Sequence, residues 1–174
     1  MHILLIEDNE DDVEIIRHSF SQSGEETWTL HWVNTLHAGL ALLDNGRIDV
    51  VLLDLSLPDS HGVETFTHVH RCAPFMPVVV LTGLEDERLG LQMVENGAQD
   101  YLVKRQLDAK LLSRSLRYAM ERSRNEHTIR TYAQELQAKN QDLAIARDKA
   151  VEADQVKARF LATISHEFRT PRMA

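Results

Sequence analysis

Cysteine is nearly absent from this sequence of 174 residues, because Cys72 is the only one and no intrachain disulfide bond can form. A lone cysteine fits a reducing compartment, and we expect a cytoplasmic location. Long apolar runs are absent too, since those around residues 48–53 and 77–81 fall far short of the roughly 20 residues that cross a bilayer. The first residues become acidic after position 6 without a basic leader. The sequence therefore predicts neither a membrane span nor a signal peptide.

Proline and glycine are absent from residues 98–170, although both recur in the first part of the chain. A stretch without either helix breaker predicts one helix from about Leu107 to about Arg169, on the order of 90 Å long at 1.5 Å per residue. We therefore expect a globular domain over residues 1–122, a helical segment over 123–159 and a distinct end segment over 160–174.

Positive charge is scarce in the first part of the chain. Residues 1–120 carry 9 Lys and Arg against 19 Asp and Glu, whereas residues 121–174 carry 10 against 8. An acidic domain is a poor electrostatic match to DNA or to an anionic membrane, so we expect no nucleic-acid partner. Acidic side chains can instead bind a cation.

Five short apolar runs are typical of strands: residues 3–6, 27–33, 50–53, 78–81 and 100–103. Three of them are almost continuous Ile, Leu and Val, as in strands that are buried on both faces of a parallel sheet. Stretches with helical periodicity lie between the runs. This alternation predicts an α/β fold with a doubly wound, five-stranded parallel sheet.

Two apolar patterns follow along the predicted long helix. Leu112, Leu116, Ala119 and Met120 share a face that could cover the sheet. Beyond them, a seven-residue repeat is typical of a coiled coil, with Lys157 interrupting one register and Lys139 the other. Its two registers are Ile129, Leu136, Leu143, Ala150 and Ile164, and Tyr132, Ala146, Ala153 and Phe160. We expect a homodimer, with a parallel arrangement favoured; an antiparallel pair and a single solvated helix are the alternatives.

Chemically active side chains follow the predicted strands. Glu7 and Asp8 follow the first strand, Asp54 the third, Thr82 the fourth and Lys104 the fifth. The carboxyl ends of strands in an open α/β sheet form the ligand-binding edge. Three carboxylates there need a cation, and oxygen-only ligands suit Mg²⁺. A carboxylate beside a metal can attack a phosphoryl group, whose charge the metal and Lys104 would offset.

The chain resembles the receiver domains of two-component response regulators over residues 1–122. The matching stretches are LLIEDNEDD, VVLLDLSLPDSHGVE, PVVVLTG and GAQDYLVK. The resemblance implies a flavodoxin-like fold with strand order 2-1-3-4-5 and a phosphohistidine protein as donor. It implies that Asp54 is the phosphoacceptor and that Lys104 contacts the phosphoryl group. The Mg²⁺ ligands that it implies are Glu7, Asp8, Asp54 and the Ser56 backbone carbonyl. Thr82 and Tyr101 match the switch pair of the family, a hydroxyl and an aromatic ring that move on phosphorylation. One departure is Arg105, where the family often has proline.

The segment FLATISHEFRTP, residues 160–171, resembles the H-box of histidine kinases. This resemblance implies His166 as a second phosphoacceptor and Glu167 as its neighbouring acid or base. No Gly-rich nucleotide-binding segment is present in the sequence. We therefore interpret the chain as the front part of a longer histidine kinase, or as a protein that is naturally truncated at this point.

Two other classes of protein remain as alternatives. One is a dimerising scaffold with a receiver fold that never needs phosphate. The other is a phosphatase similar to haloacid dehalogenases, which also uses an aspartyl nucleophile. That family has an Asp-x-Asp pair, whereas this chain has Asp54-Leu55-Ser56.

Overall fold

The computed structural model describes residues 1–22, 28–44, 47–83 and 87–167, without the side chains of residues 87 and 162–167. A five-stranded parallel sheet forms its centre. The strands are β1 (His2–Ile6), β2 (Thr29–Val33), β3 (Val50–Asp54), β4 (Val78–Thr82) and β5 (Asp100–Val103). Their order, β2-β1-β3-β4-β5, confirms the predicted doubly wound topology.

Five helices cover the sheet: α1 (Glu10–Gln22), α2 (Leu36–Leu43), α3 (Gly62–Cys72), α4 (Glu87–Glu95) and α5 (Ala109–Glu167). Alternate residues of each strand point to opposite faces, so the sheet has two cores. Leu4, Leu53 and Val80 pack with residues of α2, α3 and α4. Leu5 and Leu52 pack on the other face with residues of α1 and α5. Burial of both faces of the sheet explains why the strands consist almost entirely of apolar residues.

The first part of α5 covers the sheet as its periodicity predicts. Leu112 and Leu116 are fully buried, Ala119 is 2% exposed, and Met120 is half-buried against the same core. Asp108 precedes the helix, and its Oδ1 accepts a hydrogen bond from the Leu111 N–H at 2.6 Å. This side-chain cap explains why the helix begins two residues later than predicted.

The chain divides into two compact units, Met1–His127 and Thr128–Ala174. In the second unit, the described side chains from residue 128 to residue 161 are all exposed, including the apolar residues of the predicted coiled-coil registers. The predicted helix end near Arg169 lies outside the described residues. Among the described helices, none combines the length and apolarity needed to cross a membrane.

Candidate functional site

The strand ends bring the predicted site residues to one edge of the sheet. Asp54 and Thr82 are the last residues of β3 and β4, while Glu7 and Lys104 directly follow β1 and β5. The Glu7 N–H donates to the Val33 carbonyl at 3.0 Å, which continues the sheet pairing past β1. Trp32 Nε1 also donates to the Glu7 carbonyl at 2.8 Å. Both bonds fix the backbone that carries the Glu7 side chain.

Three carboxylates form a possible cation site at this edge. Glu7, Asp8 and Asp54 each have an oxygen within 4.8 Å of the others. Glu7 is fully buried and Asp54 is 5% exposed, whereas Asp8 is exposed. An oxygen-only donor set with one solvent-facing ligand fits Mg²⁺, because this ion usually keeps several of its water ligands.

The Lys104 ammonium lies among carboxylates at the same edge. Its Nζ is 2.7 Å from Glu7 Oε2 and 3.2 Å from Asp54 Oδ2. It also donates a hydrogen bond to Asp12 Oδ2 at 2.9 Å. The sequence analysis missed Asp12, because an acidic residue in the first turn of a helix is ordinarily explained by the helix dipole.

Burial and charge shift the protonation of this cluster. Burial and the charge of Asp54 raise the pKa of Glu7, whereas the hydrogen bond and the charge of Lys104 lower it, and the net result is a pKa of about 7 in place of 4.5. Burial lowers the pKa of Lys104, but its hydrogen bond to Glu7 and the Asp54 charge outweigh this and hold the pKa above its ordinary value. A divalent cation bound beside this buried carboxyl would favour its charged form and so oppose the effect of burial.

Thr82 and Tyr101 both approach Gly90 of α4. Thr82 is 2% exposed, and its Oγ1 has no hydrogen-bond partner among the described residues. The Tyr101 ring is half-buried against Gly90 of α4. A Cβ at Gly90 would lie 2.6 Å from Tyr101 Cδ2 and 3.1 Å from Thr82 Cγ2. The ring therefore lies where only glycine leaves enough space.

The sequence also singled out four residues that are not part of this cluster: Ser56, Arg105, His166 and Glu167. Ser56 is exposed in a two-residue strand that pairs with Ser60 and His61, and its role as a metal ligand stays a prediction. Arg105 lies in a 3₁₀ turn after Lys104, where the Leu107 N–H donates to the Lys104 carbonyl at 3.3 Å. His166 and Glu167 fall in the last turn of α5, but their side chains lie outside the described residues.

Comparisons with known proteins address the fold and the site together. The family of response regulator receiver domains matches residues 3–116. The methanogenesis regulatory protein FilR1 of Methanothrix harundinacea is 30% identical over 59% of this chain and 23% of its own length. The swarming motility regulation protein RssB of Serratia marcescens is 28% identical over 66% of this chain and 51% of its own length. This chain thus spans about half or less of these relatives.

A solved structure gives the same fold. A response regulator receiver domain protein from Clostridium thermocellum superimposes with a TM-score of 0.61 at 26% identity, covering 71% of this chain and 96% of that one. The family match ends at residue 116 and so does not extend to the H-box segment. His166 and Glu167 therefore remain predictions from their motif.

Proposed function

Because the chain belongs to the response regulator receiver family, a family of two-component signalling, we propose that Asp54 accepts a phosphoryl group in a Mg²⁺-dependent reaction. The observation that carries this proposal is the contact of Lys104 Nζ with Asp54 Oδ2 at 3.2 Å, beside three clustered carboxylates. An ammonium and a divalent cation on either side of a nucleophilic carboxylate favour phosphoryl transfer.

In the proposed reaction, an Asp54 carboxylate oxygen attacks phosphorus. The new oxygen–phosphorus bond forms as the bond from phosphorus to the donor atom breaks, and the donor keeps that electron pair. With a phosphohistidine donor whose other ring nitrogen carries a proton, the leaving group is a neutral imidazole. With a small acyl phosphate, it is a carboxylate. The donor class is part of the proposal, and it is supported by the family assignment.

Each residue at the edge has a separate role in this proposal. Glu7, Asp8 and Asp54 would hold Mg²⁺, which would offset the charge of the phosphoryl oxygens; the Ser56 carbonyl is a further candidate ligand. Lys104 would contact a phosphoryl oxygen and keep the product in place. Thr82 has a buried hydroxyl that makes no hydrogen bond to any described residue, and it would donate to the phosphoryl group.

We propose that phosphorylation of Asp54 changes the conformation of Thr82, Tyr101 and α5. Movement of Thr82 toward a phosphoryl group would vacate space beside the Tyr101 ring, and the ring and the surrounding surface would shift. This is a population shift between two states that a local charge biases. The receiver would thereby regulate an attached histidine kinase through a homodimeric coiled coil formed by α5. The supports are the exposed seven-residue repeat and the H-box motif around His166 and Glu167.

We also propose that the protein works in the cytoplasm, which the single cysteine supports. The alternative function is a coiled-coil scaffold in which the receiver fold is never phosphorylated. The converging Glu7, Asp54 and Lys104 side chains argue against it, because packing alone does not need a cluster of ionisable groups at this depth.

Intact mass after incubation with Mg²⁺ and acetyl phosphate tests the proposed function. We expect one added phosphoryl group, which EDTA prevents and which Asp54→Asn abolishes. Asp49→Asn is the matched control, because Asp49 directly precedes the same strand at its opposite end. Borohydride reduction of the acyl phosphate would identify the modified residue. Absence of any added mass, together with absence of Mg²⁺ binding, would favour the scaffold.

A further inference from the structure

Asp12 belongs to the environment of Lys104 but lies outside the group of carboxylates that could hold a cation. Its Oδ2 accepts the Lys104 hydrogen bond at 2.9 Å, and its side chain is 24% exposed. Among the described residues, the carboxylate oxygens that lie within 4.8 Å of one another are those of Glu7, Asp8 and Asp54. Asp12 therefore binds the ammonium without being placed to bind the cation.

Local structure holds Asp12 in this position. The Asn9 side chain accepts hydrogen bonds from the N–H groups of Asp11 at 2.9 Å and Asp12 at 3.4 Å, which caps the start of α1. The Asn9 N–H in turn donates to Glu7 Oε1 at 3.2 Å. The turn that carries Asp12 is thus connected directly to the side chain of a candidate metal ligand.

The ammonium of Lys104 and a cation compete for the same oxygen atoms. An ammonium has three N–H donors, and among the described residues three carboxylates lie within 3.2 Å of Nζ: those of Glu7, Asp12 and Asp54. The donor that Asp12 accepts is not directed at Glu7 or Asp54. Lone pairs of those two carboxylates therefore remain available for a second positive charge.

We propose that Asp12 is a positioning residue that draws the Lys104 ammonium toward α1 and leaves the carboxylates of Glu7 and Asp54 accessible to Mg²⁺. This inference rests on the proposed function and assigns to that site a residue outside its metal ligands. Without the Asp12 charge, the third donor of Lys104 turns toward Glu7 and Asp54, and the ammonium competes more strongly with the cation.

Trp32 provides a direct measurement of cation binding, because its Nε1 donates to the Glu7 carbonyl at 2.8 Å. The chain has two tryptophans, so a Trp28→Phe background leaves Trp32 as the only one. Titration of this fluorescence with Mg²⁺ gives the Kd without any phosphoryl transfer. Circular dichroism of each variant verifies that it is folded.

Asp12→Asn should weaken Mg²⁺ binding about three- to tenfold. The matched control is Asp11→Asn, which removes the same charge from the same helical turn at an exposed residue. The control should change the Kd less than about twofold, because it reports only the general loss of negative charge. Equal effects of the two substitutions would overturn the proposal.

A double-mutant cycle tests whether Asp12 acts through Lys104. In a Lys104→Met background, Asp12→Asn should have no larger effect than Asp11→Asn, since no ammonium remains to be positioned. An undiminished effect of Asp12→Asn in that background would contradict the proposed role. If the Lys104→Met variant does not fold, Lys104→Ala replaces it. The comparison of Asp12→Asn with Asp11→Asn in the chain with native Lys104 still tests whether Asp12 affects Mg²⁺ binding.

Failure of the proposed function can be distinguished from failure of this inference. Absence of Mg²⁺ binding by the chain with native Asp12 would contradict the metal-dependent function itself. Normal Mg²⁺ binding with identical Asp12→Asn and Asp11→Asn titrations would reject only the role of Asp12.

Discussion

At the scale of single residues, the buried Thr82 hydroxyl lowers the free energy of unfolding of the unmodified chain. Its Oγ1 has no hydrogen-bond partner in the part of the chain that the structure describes, and a buried hydroxyl without a partner has lost its hydrogen bonds to water without replacement. Such a cost is consistent with a group kept for a ligand rather than for stability. Removing the hydroxyl should therefore raise the stability of the unmodified chain.

Thr82→Val should raise the free energy of unfolding of the unphosphorylated, metal-free chain by about 1 kcal/mol, because valine has a similar shape without the unpaired hydroxyl. Urea denaturation followed by circular dichroism measures the change. Thr82→Ser keeps the hydroxyl and should not be stabilised. A loss of stability in Thr82→Val would mean that the hydroxyl already has a partner in the unmodified protein.

The residues that end or directly follow strands could be expected together from the sequence, whereas Asp12 in α1 could not. Asp54, Thr82 and Lys104 could be placed together because parallel strands end at one edge. Asp12 could not, because its position depends on the direction of α1 and on the Lys104 side chain reaching across it. No local pattern distinguishes it from the neighbouring acidic residues of the same turn.

At the scale of secondary-structure elements, Asp59 connects the loop after β3 to the start of α2. Its two carboxylate oxygens accept hydrogen bonds from the N–H groups of Leu36 and His37, both at 2.9 Å. Slight burial opposes the charged form, but these bonds from His37 and Leu36 outweigh it and lower the pKa of Asp59 below 3.8. The interaction therefore stabilises the fold only while Asp59 is ionised.

Asp59→Ala should lower the free energy of unfolding by about 1 kcal/mol at neutral pH, a typical value for a lost helix cap. Because the folded pKa is depressed, the contribution is complete well above pH 4 and disappears as pH falls through the folded value. Urea denaturation from pH 3 to pH 7 measures this. Asp59→Asn keeps one acceptor oxygen and should lose less; a pH-independent difference would contradict the explanation.

Contact between α4 and β5 depends on Gly90, where a methyl group would meet the Tyr101 ring at 2.6 Å. Gly90→Ala should therefore displace the ring and lower the free energy of unfolding by about 1–2 kcal/mol, despite the better helix propensity of alanine. Near-ultraviolet circular dichroism and urea denaturation measure the two effects.

The Tyr101→Ala background is the control for this prediction. With the ring removed, Gly90→Ala should become neutral or stabilising, because only the gain in helix propensity remains. A similar loss of stability in both backgrounds would show that the close approach to Thr82, rather than to Tyr101, limits the space at Gly90.

Element boundaries could be predicted from the sequence to within a few residues. The β3 and β4 strands each extend one residue beyond the apolar run, because Asp54 and Thr82 still pair with Leu81 and Val103 in the sheet. Polar residues at strand ends give no hydrophobic signal, so tertiary pairing alone determines these limits. Gly97 lies two residues after the end of α4, with a φ of 112°.

At the scale of the whole molecule, the proposed homodimer depends on apolar side chains of α5 that are exposed in the single chain. Ile129, Leu136 and Leu143 are 68%, 61% and 67% exposed. Their spacing of seven residues is typical of a coiled-coil seam. Burial of such a seam against a second copy would remove this apolar surface from water.

Replacing Leu136 and Leu143 together by glutamate should convert the proposed dimer to a monomer, because four added charges would meet in the seam. Light scattering coupled to size-exclusion chromatography measures the mass. The matched control replaces Gln134 and Gln141 by glutamate, two residues earlier along the same helix. A dimer that persists in the leucine variant would assign dimerisation to another surface, and a monomeric parent chain would reject the dimer altogether.

Beyond its sheet-covering turns, α5 continues to contact the receiver. The Ser123 hydroxyl donates to the Phe75 carbonyl at 3.0 Å, and the Phe75 and His127 rings meet edge to face at 6.4 Å. A protease probing the native chain would therefore find α5 protected for some distance past residue 116, where the family match ends. A chain that ends at residue 116 would lack Ser123 and His127 and so lose both contacts to Phe75, whereas one that ends after residue 127 would retain them.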